Sequence, residues 1–340
     1  MNKSSELENT KYIKNVLMFV IVLYHCFLLL VDSTDAVSYF IVLDIFKSFE
    51  VNTFVIVSGY LFAYILYERG GYDSFKKFFV NKSKRLIIPY IFVCSCWAAP
   101  IVRFTTGYGL FELTYKYILG IDADQLWFLL MLFELFMLEY WLIKVKLKWI
   151  YRIVGVIVVY IVGVYLKSDF YNVWRVFDTL KMLIFFELGI YLYKKRDGAF
   201  YKKDRILFCG VLTLFLLCVL EFYKTIIAVE VKFDLIETII EMFLGISASI
   251  FMWTILQIIF NKSRHNIILK TASSVSMGVF LVHQQIIYLI RYFLGTGVWM
   301  RFSCIVYIFV SFVVTMTISI LITCLLKSNS VTRFLIGEKV

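Results

Sequence analysis

The chain is poor in the residues that interrupt helices and that mark soluble proteins. It contains only two prolines in 340 residues, and only 17% of its residues are charged. The seven cysteines are odd in number, lie in or beside apolar runs and show no metal-ligand spacing. These cysteines therefore predict neither a disulfide framework nor a metal site.

Apolar residues dominate instead. The chain is 61% hydrophobic and 19% aromatic, with a mean hydropathy of +0.84. Repeated apolar runs near 20 residues predict transmembrane helices. No repeat of fixed period and no low-complexity linker divides the chain, so we expect one membrane domain over residues 1–340, an all-α polytopic helix bundle. The ten expected spans are about 13–31, 40–67, 86–103, 126–143, 149–166, 177–193, 205–223, 236–260, 274–294 and 303–326.

Lysine and arginine are concentrated in alternate loops. Segments on the N-terminal side of the expected spans hold 25 of the 35 basic residues, and segments on the opposite side hold nine. The positive-inside rule therefore places both termini in the cytoplasm. Topology also explains the net charge of +11, so we expect membrane lipids around the chain and no nucleic-acid partner.

One histidine falls inside the first expected span. His25 follows Lys14 by eleven residues, which is three helical turns plus about 20°, so both side chains project from one helix face, roughly 16 Å apart along the axis. An ionisable group in hydrocarbon is costly and marks a functional site by default, although a lone histidine also serves as a helix-packing hydrogen bond. The alignment with Lys14 favours the functional interpretation.

Further polar residues are expected at a similar depth. Counting 1.5 Å per residue along the expected spans brings His283 and Glu134 into one layer with His25, and Asn52 joins them if the second span enters the membrane near residue 44. An imidazole can take a proton from a hydroxyl, and a carboxylate can orient it. His25, Glu134 and His283 are thus the candidate catalytic residues. The two glutamines after His283 fit a packing network equally well.

Basic residues also mark the entry to the third span. Lys84 and Arg85 lie on the same side of the membrane as Lys14. The positive-inside rule alone accounts for such residues. Together with Lys14 they also form a plausible clamp for a phosphorylated cytoplasmic ligand.

Six short motifs follow one another along the chain: Lys14–His25, Asn52–Phe62, Lys84–Tyr90, Leu126–Leu129, Phe185–Tyr191 and Ser276–His283. These motifs resemble those of the acyltransferase-3 family of integral membrane acyltransferases, which O-acylate bacterial polysaccharides. The resemblance lies in the order of the motifs and in the histidine that ends the first motif and the last. The chain departs from the family pattern at Lys14, where the family usually has arginine. The motif-bearing part is about residues 10–326.

The resemblance implies acyl transfer across the bilayer of a bacterial inner or plasma membrane. An acyl-CoA, such as acetyl-CoA or succinyl-CoA, would bind at the cytoplasmic mouth, and the acceptor would be a hydroxyl of a surface polysaccharide or lipid-linked saccharide. His25 would act as general base or carry the acyl group briefly. No metal is implied. The expected donor-binding residues are Lys14, Lys84 and Arg85, and the expected acceptor-binding residues are Asn52, Ser58 and Trp127.

A transporter of saccharides is the alternative, because buried histidine and glutamate residues also suit proton-coupled transport. Transporters often contain inverted repeats and helices interrupted near the membrane midplane. No such repeat is visible here, and both prolines, Pro89 and Pro100, lie in one span. These observations favour the enzyme.

Overall fold

A computed structural model describes residues 3–31, 37–69, 71, 74–121, 123–145, 147–196, 203–226, 234–262, 267–295 and 304–338. Over these ranges the chain is helical and contains no strand, which confirms the predicted all-α membrane bundle. The helices are α1 (Lys3–Leu30), α2 (Val37–Glu68), α3 (Phe75–Val93), α4 (Ala99–Thr106), α5 (Leu110–Leu119), α6 (Trp127–Leu142), α7 (Trp149–Asp169), α8 (Val176–Lys194), α9 (Lys203–Ile226), α10 (Leu235–Lys262), α11 (Ile267–Leu294), α12 (Cys304–Ser328) and α13 (Ser330–Leu335).

A helix is present at each of the ten expected spans. Among the described residues, eight helical segments are long and apolar enough to cross a membrane. The two exceptions are α6, which has 16 residues, and α8, which carries Asp178, Lys181 and Glu187 within its 19 residues. Both lie inside the bundle, where protein rather than lipid surrounds their polar groups.

The third span is longer than its apolar core suggests. Its helix begins at Phe75, eleven residues before the expected start, because Ser74 caps it by accepting a hydrogen bond from the Lys77 amide. A π-helical turn over Cys94–Ala98 joins α3 to α4. This turn presents Trp97, whose indole donates to the carbonyl of Val282 on α11 (3.3 Å).

Contacts between helices give their relative directions. α1 and α11 run parallel, since His25 lies beside His283 and Arg291 bonds the carbonyl of Leu29. α3 and α6 are antiparallel, since the ring of Phe75 packs on Tyr140 near the opposite end of α6. These directions match the alternation expected from ten spans.

Both termini lie at one end of the bundle. Tyr12 packs on Phe260, and Gly337 lies against the backbone of Arg85. Following the charge bias of the loops, we call this the inner end, and we call the opposite end, with the α7–α8 connection over residues 170–175, the outer end.

Helices α2 and α8 are packed backbone to backbone. A Cβ atom at Gly59 would lie 2.1 Å from the carbonyl oxygen of Phe186, and one at Gly189 would lie 2.1 Å from that of Ile56. Small residues permit such approach between membrane helices. Two of the six motifs therefore meet here, and their glycines serve packing.

Helix α9 lies at the periphery. Its large apolar side chains, including Leu207, Phe208, Leu214 and Phe215, are exposed. An apolar helix with an exposed apolar face fits contact with lipid chains. The site is built from α1, α2, α8, α10 and α11, with the ends of α6 and α7 and with Leu220 of α9, which is buried and lines the cavity described below.

Candidate active site

The centre of the site is a pair of histidines. His25 of α1 and His283 of α11 are joined by a contact of 3.1 Å between His25 Nδ1 and His283 Nε2. His283 is fully buried, whereas His25 is half-buried and lines a cavity. The two histidines that close the first and last motifs thus come together in space, as their expected shared depth suggested.

Hydrogen bonding assigns the ring protons of this pair. His283 Nδ1 faces the carbonyl oxygens of Val279 (3.1 Å) and Phe280 (2.8 Å), which can only accept, so this nitrogen carries the proton. In a neutral imidazole the other nitrogen, Nε2, is then an acceptor. The contact between the rings therefore requires a proton on His25 Nδ1. His25 Nε2 keeps its lone pair, which is the form a general base needs.

A cavity of about 420 Å³ adjoins His25 and extends toward the outer end. Part of its wall is aromatic, with the side chains of Tyr24, Trp127 and Phe128. The wall also contains polar and charged side chains, and Asn52 is one of them. Apolar faces beside many hydrogen-bonding groups are suited to a saccharide, which has both kinds of surface.

The charged groups of the cavity wall are mostly paired with each other. Asp178 binds Lys167 (2.6 Å) and lies 3.6 Å from Arg175, while Lys181 lies 3.5 Å from Glu241. Pairing of this kind lets charge remain in a low-dielectric region. The cavity is therefore lined by paired charges as well as by aromatic side chains, and we call it the outer chamber.

The backbone before α8 is strained and directs Arg175 to this chamber. Trp174 and Arg175 both have positive φ angles, 55° and 67°, a conformation that is costly for residues other than glycine. Asn172 holds the turn, since its Oδ1 accepts from the Phe177 amide (2.9 Å) and its Nδ2 donates to Asp178 (2.8 Å). Strain retained in this way is frequent at functional sites.

A hydrogen-bonded network fixes the start of α6 against α11. Gln125 and Gln285 exchange amide hydrogen bonds (2.8 and 3.1 Å), and Asp124 accepts from Tyr288 (2.8 Å) and Tyr117 (3.0 Å). Burial, with the carboxylate of Asp124 beside it, raises the pKa of the Tyr117 phenol and keeps it a donor. The network fixes Trp127 at the cavity wall, and it fixes the position of α11 along its axis relative to the start of α6.

At the inner end, three cations converge. Lys14 lies over the ring of Phe54 (5.2 Å), and Lys82 lies over that of Phe136 (3.1 Å). Lys14, Lys82 and Arg85 are close enough to interact electrostatically with one another. Within the described part of the chain, none of the three forms an ion pair with an acidic residue. We call this group the inner cation cluster. Like charges that lack acidic partners among the described residues are suited to an anionic ligand.

The expected site residues are thus partly brought together. His25, His283, Asn52 and Trp127 meet at the cavity or its edge, and Lys14 meets Arg85.

Three of the expected residues lie elsewhere. Glu134 accepts a hydrogen bond from Thr179 (2.8 Å) and is not part of the cavity wall. Ser58 is buried and donates to the carbonyl of Phe54 one turn earlier in its own helix (3.0 Å). Lys84 is exposed, and its position two residues after Lys82 places it off the helix face that Lys82 and Arg85 share.

Sequence reasoning passed over other residues of the site. Lys82 precedes Arg85 by three positions, and this spacing alone places both on one helix face. Lys47 and Glu50, also three apart, both line the cavity; their position inside an apolar span was the available signal. Arg175 carried no such signal, because its place depends on the strained turn.

The helical bundle, with a histidine pair in its interior, cations at its inner end and a cavity toward its outer end, defines a polytopic membrane protein with a candidate site between the two ends. The chain matches the family model of an acyltransferase domain, Acyl_transf_3, over residues 9–324. It therefore belongs to the acyltransferase-3 family and is a multi-pass membrane acyltransferase. No curated protein and no solved structure matches the chain.

Proposed function

We propose that the protein transfers an acetyl or succinyl group from cytoplasmic acyl-CoA to a hydroxyl of a surface polysaccharide or lipid-linked saccharide, in a bacterial inner or plasma membrane. The observation that carries this proposal is the position of His25, which borders the outer chamber and lies on the same helix as Lys14 of the inner cation cluster.

The inner cation cluster binds the donor. Lys14, Lys82 and Arg85 are basic, lack acidic partners among the described residues and face one another, so the phosphate groups of an acyl-CoA offset their mutual repulsion. The roughly 16 Å between Lys14 and His25 along α1 is bridged by the flexible pantetheine arm. The thioester then lies beside the histidine pair.

His25 acts as the general base. Its Nε2 takes the proton of the acceptor hydroxyl while the hydroxyl oxygen forms a bond to the thioester carbonyl carbon. The carbon–sulfur bond breaks, the thiolate of CoA leaves, and His25 returns the proton to that sulfur. The products are the acylated saccharide and free CoA, with His25 neutral again.

His283 positions the base. By accepting a hydrogen bond from His25 Nδ1–H, the Nε2 atom of His283 fixes the tautomer and orientation of the His25 ring, and it stabilises the imidazolium that forms when His25 Nε2 is protonated. His283 is itself held by two backbone carbonyls. This arrangement gives both buried histidines a role in one reaction.

The direct test is transfer of label. Purified protein is given radiolabelled acetyl-CoA or succinyl-CoA and an extract of surface glycan, and label in the glycan is counted for the wild type and for His25→Ala. We expect transfer by the wild type and loss of at least a hundredfold in the variant, the typical contribution of a general base. Saccharide movement without label transfer would favour the transporter. Label trapped on His25 would replace the general-base step with an acyl relay.

A further inference from the structure

The short helix α5 is not one of the membrane spans. Its ten residues, Leu110–Leu119, extend only about 15 Å, whereas the hydrocarbon core of a bilayer is about 30 Å thick. The helix follows the third span, which ends at Thr106, and precedes α6, which begins at Trp127. A Cβ atom at Gly120, directly after α5, would lie 3.3 Å from the Cα atom of Trp174 in the α7–α8 connection. Helix α5 therefore lies at the outer end.

Two faces of α5 are explained by contacts within the protein. One packs on the bundle, since Leu113 and Tyr117 are buried and the carbonyl of Tyr117 accepts a hydrogen bond from the Tyr90 hydroxyl. The other is polar, since Glu112 and Lys116, four residues apart, form an ion pair (3.2 Å). At 100° per residue, these two faces are centred about 100° apart around the helix.

The third face of α5 is apolar and exposed. Phe111, Tyr115 and Ile118 follow one another at spacings of four and three residues, which places all three within about 60° around the helix axis. Phe111 is 87% exposed and Ile118 is 64% exposed. A contiguous exposed apolar face of this kind marks a contact with a membrane or with another protein.

The surface next to α5 favours the membrane. Helix α4 forms the outer part of the third span, and its Phe104 packs against the rings of Tyr292 (4.9 Å) and Phe293 (6.2 Å) near the end of the span in α11. All three of these rings are exposed. Aromatic residues at the ends of spans are typical of the boundary between lipid and water. Because only three residues separate α4 from α5, the apolar face of α5 continues this lipid-facing surface.

We infer that α5 lies in the outer interface of the bilayer, with Phe111, Tyr115 and Ile118 among the lipid acyl chains and the Glu112–Lys116 pair in water. A helix with an apolar face and a charged face is stable in this position because each face meets the solvent that suits it. The inference goes beyond the proposed function, since it does not depend on which group the protein transfers.

The position of α5 also bears on the outer chamber. The Tyr117 phenol donates to the carboxylate of Asp124 (3.0 Å), which belongs to the hydrogen-bonded network at the start of α6. That network fixes Trp127 at the chamber wall. Helix α5 thus connects the chamber wall to the outer leaflet and holds the chamber at a constant depth relative to the lipid headgroups.

Fluorine NMR on the full-length protein tests this position in nanodiscs of phosphatidylethanolamine and phosphatidylglycerol. The probe, para-trifluoromethyl-phenylalanine, replaces Phe111, Tyr115 or Glu112, one at a time. Glu112 is the matched control, because it is exposed on the polar face of the same helix. Dissolved oxygen, which concentrates in hydrocarbon, and a water-soluble gadolinium chelate are added separately, and the relaxation enhancement of each probe is measured. Thermal unfolding of each variant verifies folding.

We expect the ratio of the oxygen effect to the chelate effect to be severalfold higher at positions 111 and 115 than at position 112. The ratio at position 112 should be close to that of the free amino acid in buffer. A ratio at positions 111 and 115 no higher than at position 112 would overturn the inference, because the apolar face would then contact water.

Two other results would also contradict the interfacial position. Weak effects of both reagents at positions 111 and 115 would show that protein, such as a second copy of the chain, covers the apolar face. A ratio at position 112 as high as at position 111 would show that the whole helix lies within the hydrocarbon. Acyl transfer is not measured in this experiment, so its outcome leaves the proposed function unaffected.

Discussion

Replacement of Lys82 by methionine probes the donor site with little disturbance of packing. Methionine is similar in length and retains a favourable contact with the ring of Phe136. The matched control is Lys84→Met, which removes the same charge from the same helix two residues later at an exposed position. The two variants therefore differ in whether the lost charge belongs to the inner cation cluster.

The expected effect on donor binding follows from the loss of one charged contact. Loss of one charged contact to a phosphate weakens binding by about 2 kcal/mol, which is roughly 30-fold in affinity. The lost cation–π contact of Lys82 and the relief of its repulsion with Lys14 and Arg85 act in opposite directions on folding. We therefore expect the unfolding temperature of Lys82→Met to stay near that of the wild type.

Steady-state kinetics with varied acyl-CoA and saturating glycan measure the effect. Lys82→Met should raise KM for acyl-CoA roughly 30-fold with little change in kcat, because the reacting atoms lie near His25. Added salt should raise the wild-type KM more than that of the variant. An unchanged KM in Lys82→Met, or an equal rise in Lys84→Met, would refute the assignment of the inner cation cluster to the donor.

Three further outcomes are expected. His283→Leu removes the acceptor of the hydrogen bond from His25 Nδ1–H, so kcat should fall by at least about tenfold at constant KM for acyl-CoA. His283→Gln keeps an acceptor oxygen and should retain more activity. Equal kcat values in the two variants would argue that His283 does not fix the tautomer of His25. Gly189→Ala forces α2 and α8 apart and should lower the free energy of unfolding by about 1–3 kcal/mol. Gly155 has open space around it, so Gly155→Ala should leave the free energy of unfolding unchanged. Thermal denaturation in detergent measures both variants. Arg152→Met removes the cation that pairs with both the buried Glu139 and the partly buried Glu187, and it should destabilise the protein by about 3 kcal/mol. An unchanged unfolding temperature would show that these ion pairs do not stabilise the fold.

The bundle itself was largely predictable from sequence because its signals are local. Apolar runs and alternating basic loops specify where helices lie and how they alternate. The start of α3 at Phe75 was not predictable from hydropathy, since it depends on the cap by Ser74. The π-helical turn at Cys94–Ala98 depends on packing of Trp97 against α11.

Site residues were predictable from sequence only where an ionisable side chain lies inside an apolar helix, because its burial there is costly. His25 and His283 stood out as ionisable groups in apolar spans, and the structure joins them. Glu134 had the same signal, yet its partner is Thr179 on α8, because depth along a helix does not specify which neighbour it faces. Arg175 reaches the chamber through a turn with positive φ angles that no local pattern indicated.

We propose that the protein transfers an acyl group from the side of the termini to the opposite side of the membrane, with His25 as the general base. Proteoliposomes of defined orientation test it, with labelled acyl-CoA only on the side of the termini and saccharide only on the opposite side. We predict labelled saccharide with the wild type, none when the two substrates exchange sides, and at least a hundredfold less with His25→Ala. Equal labelling by His25→Ala, or labelling independent of sidedness, would contradict the account.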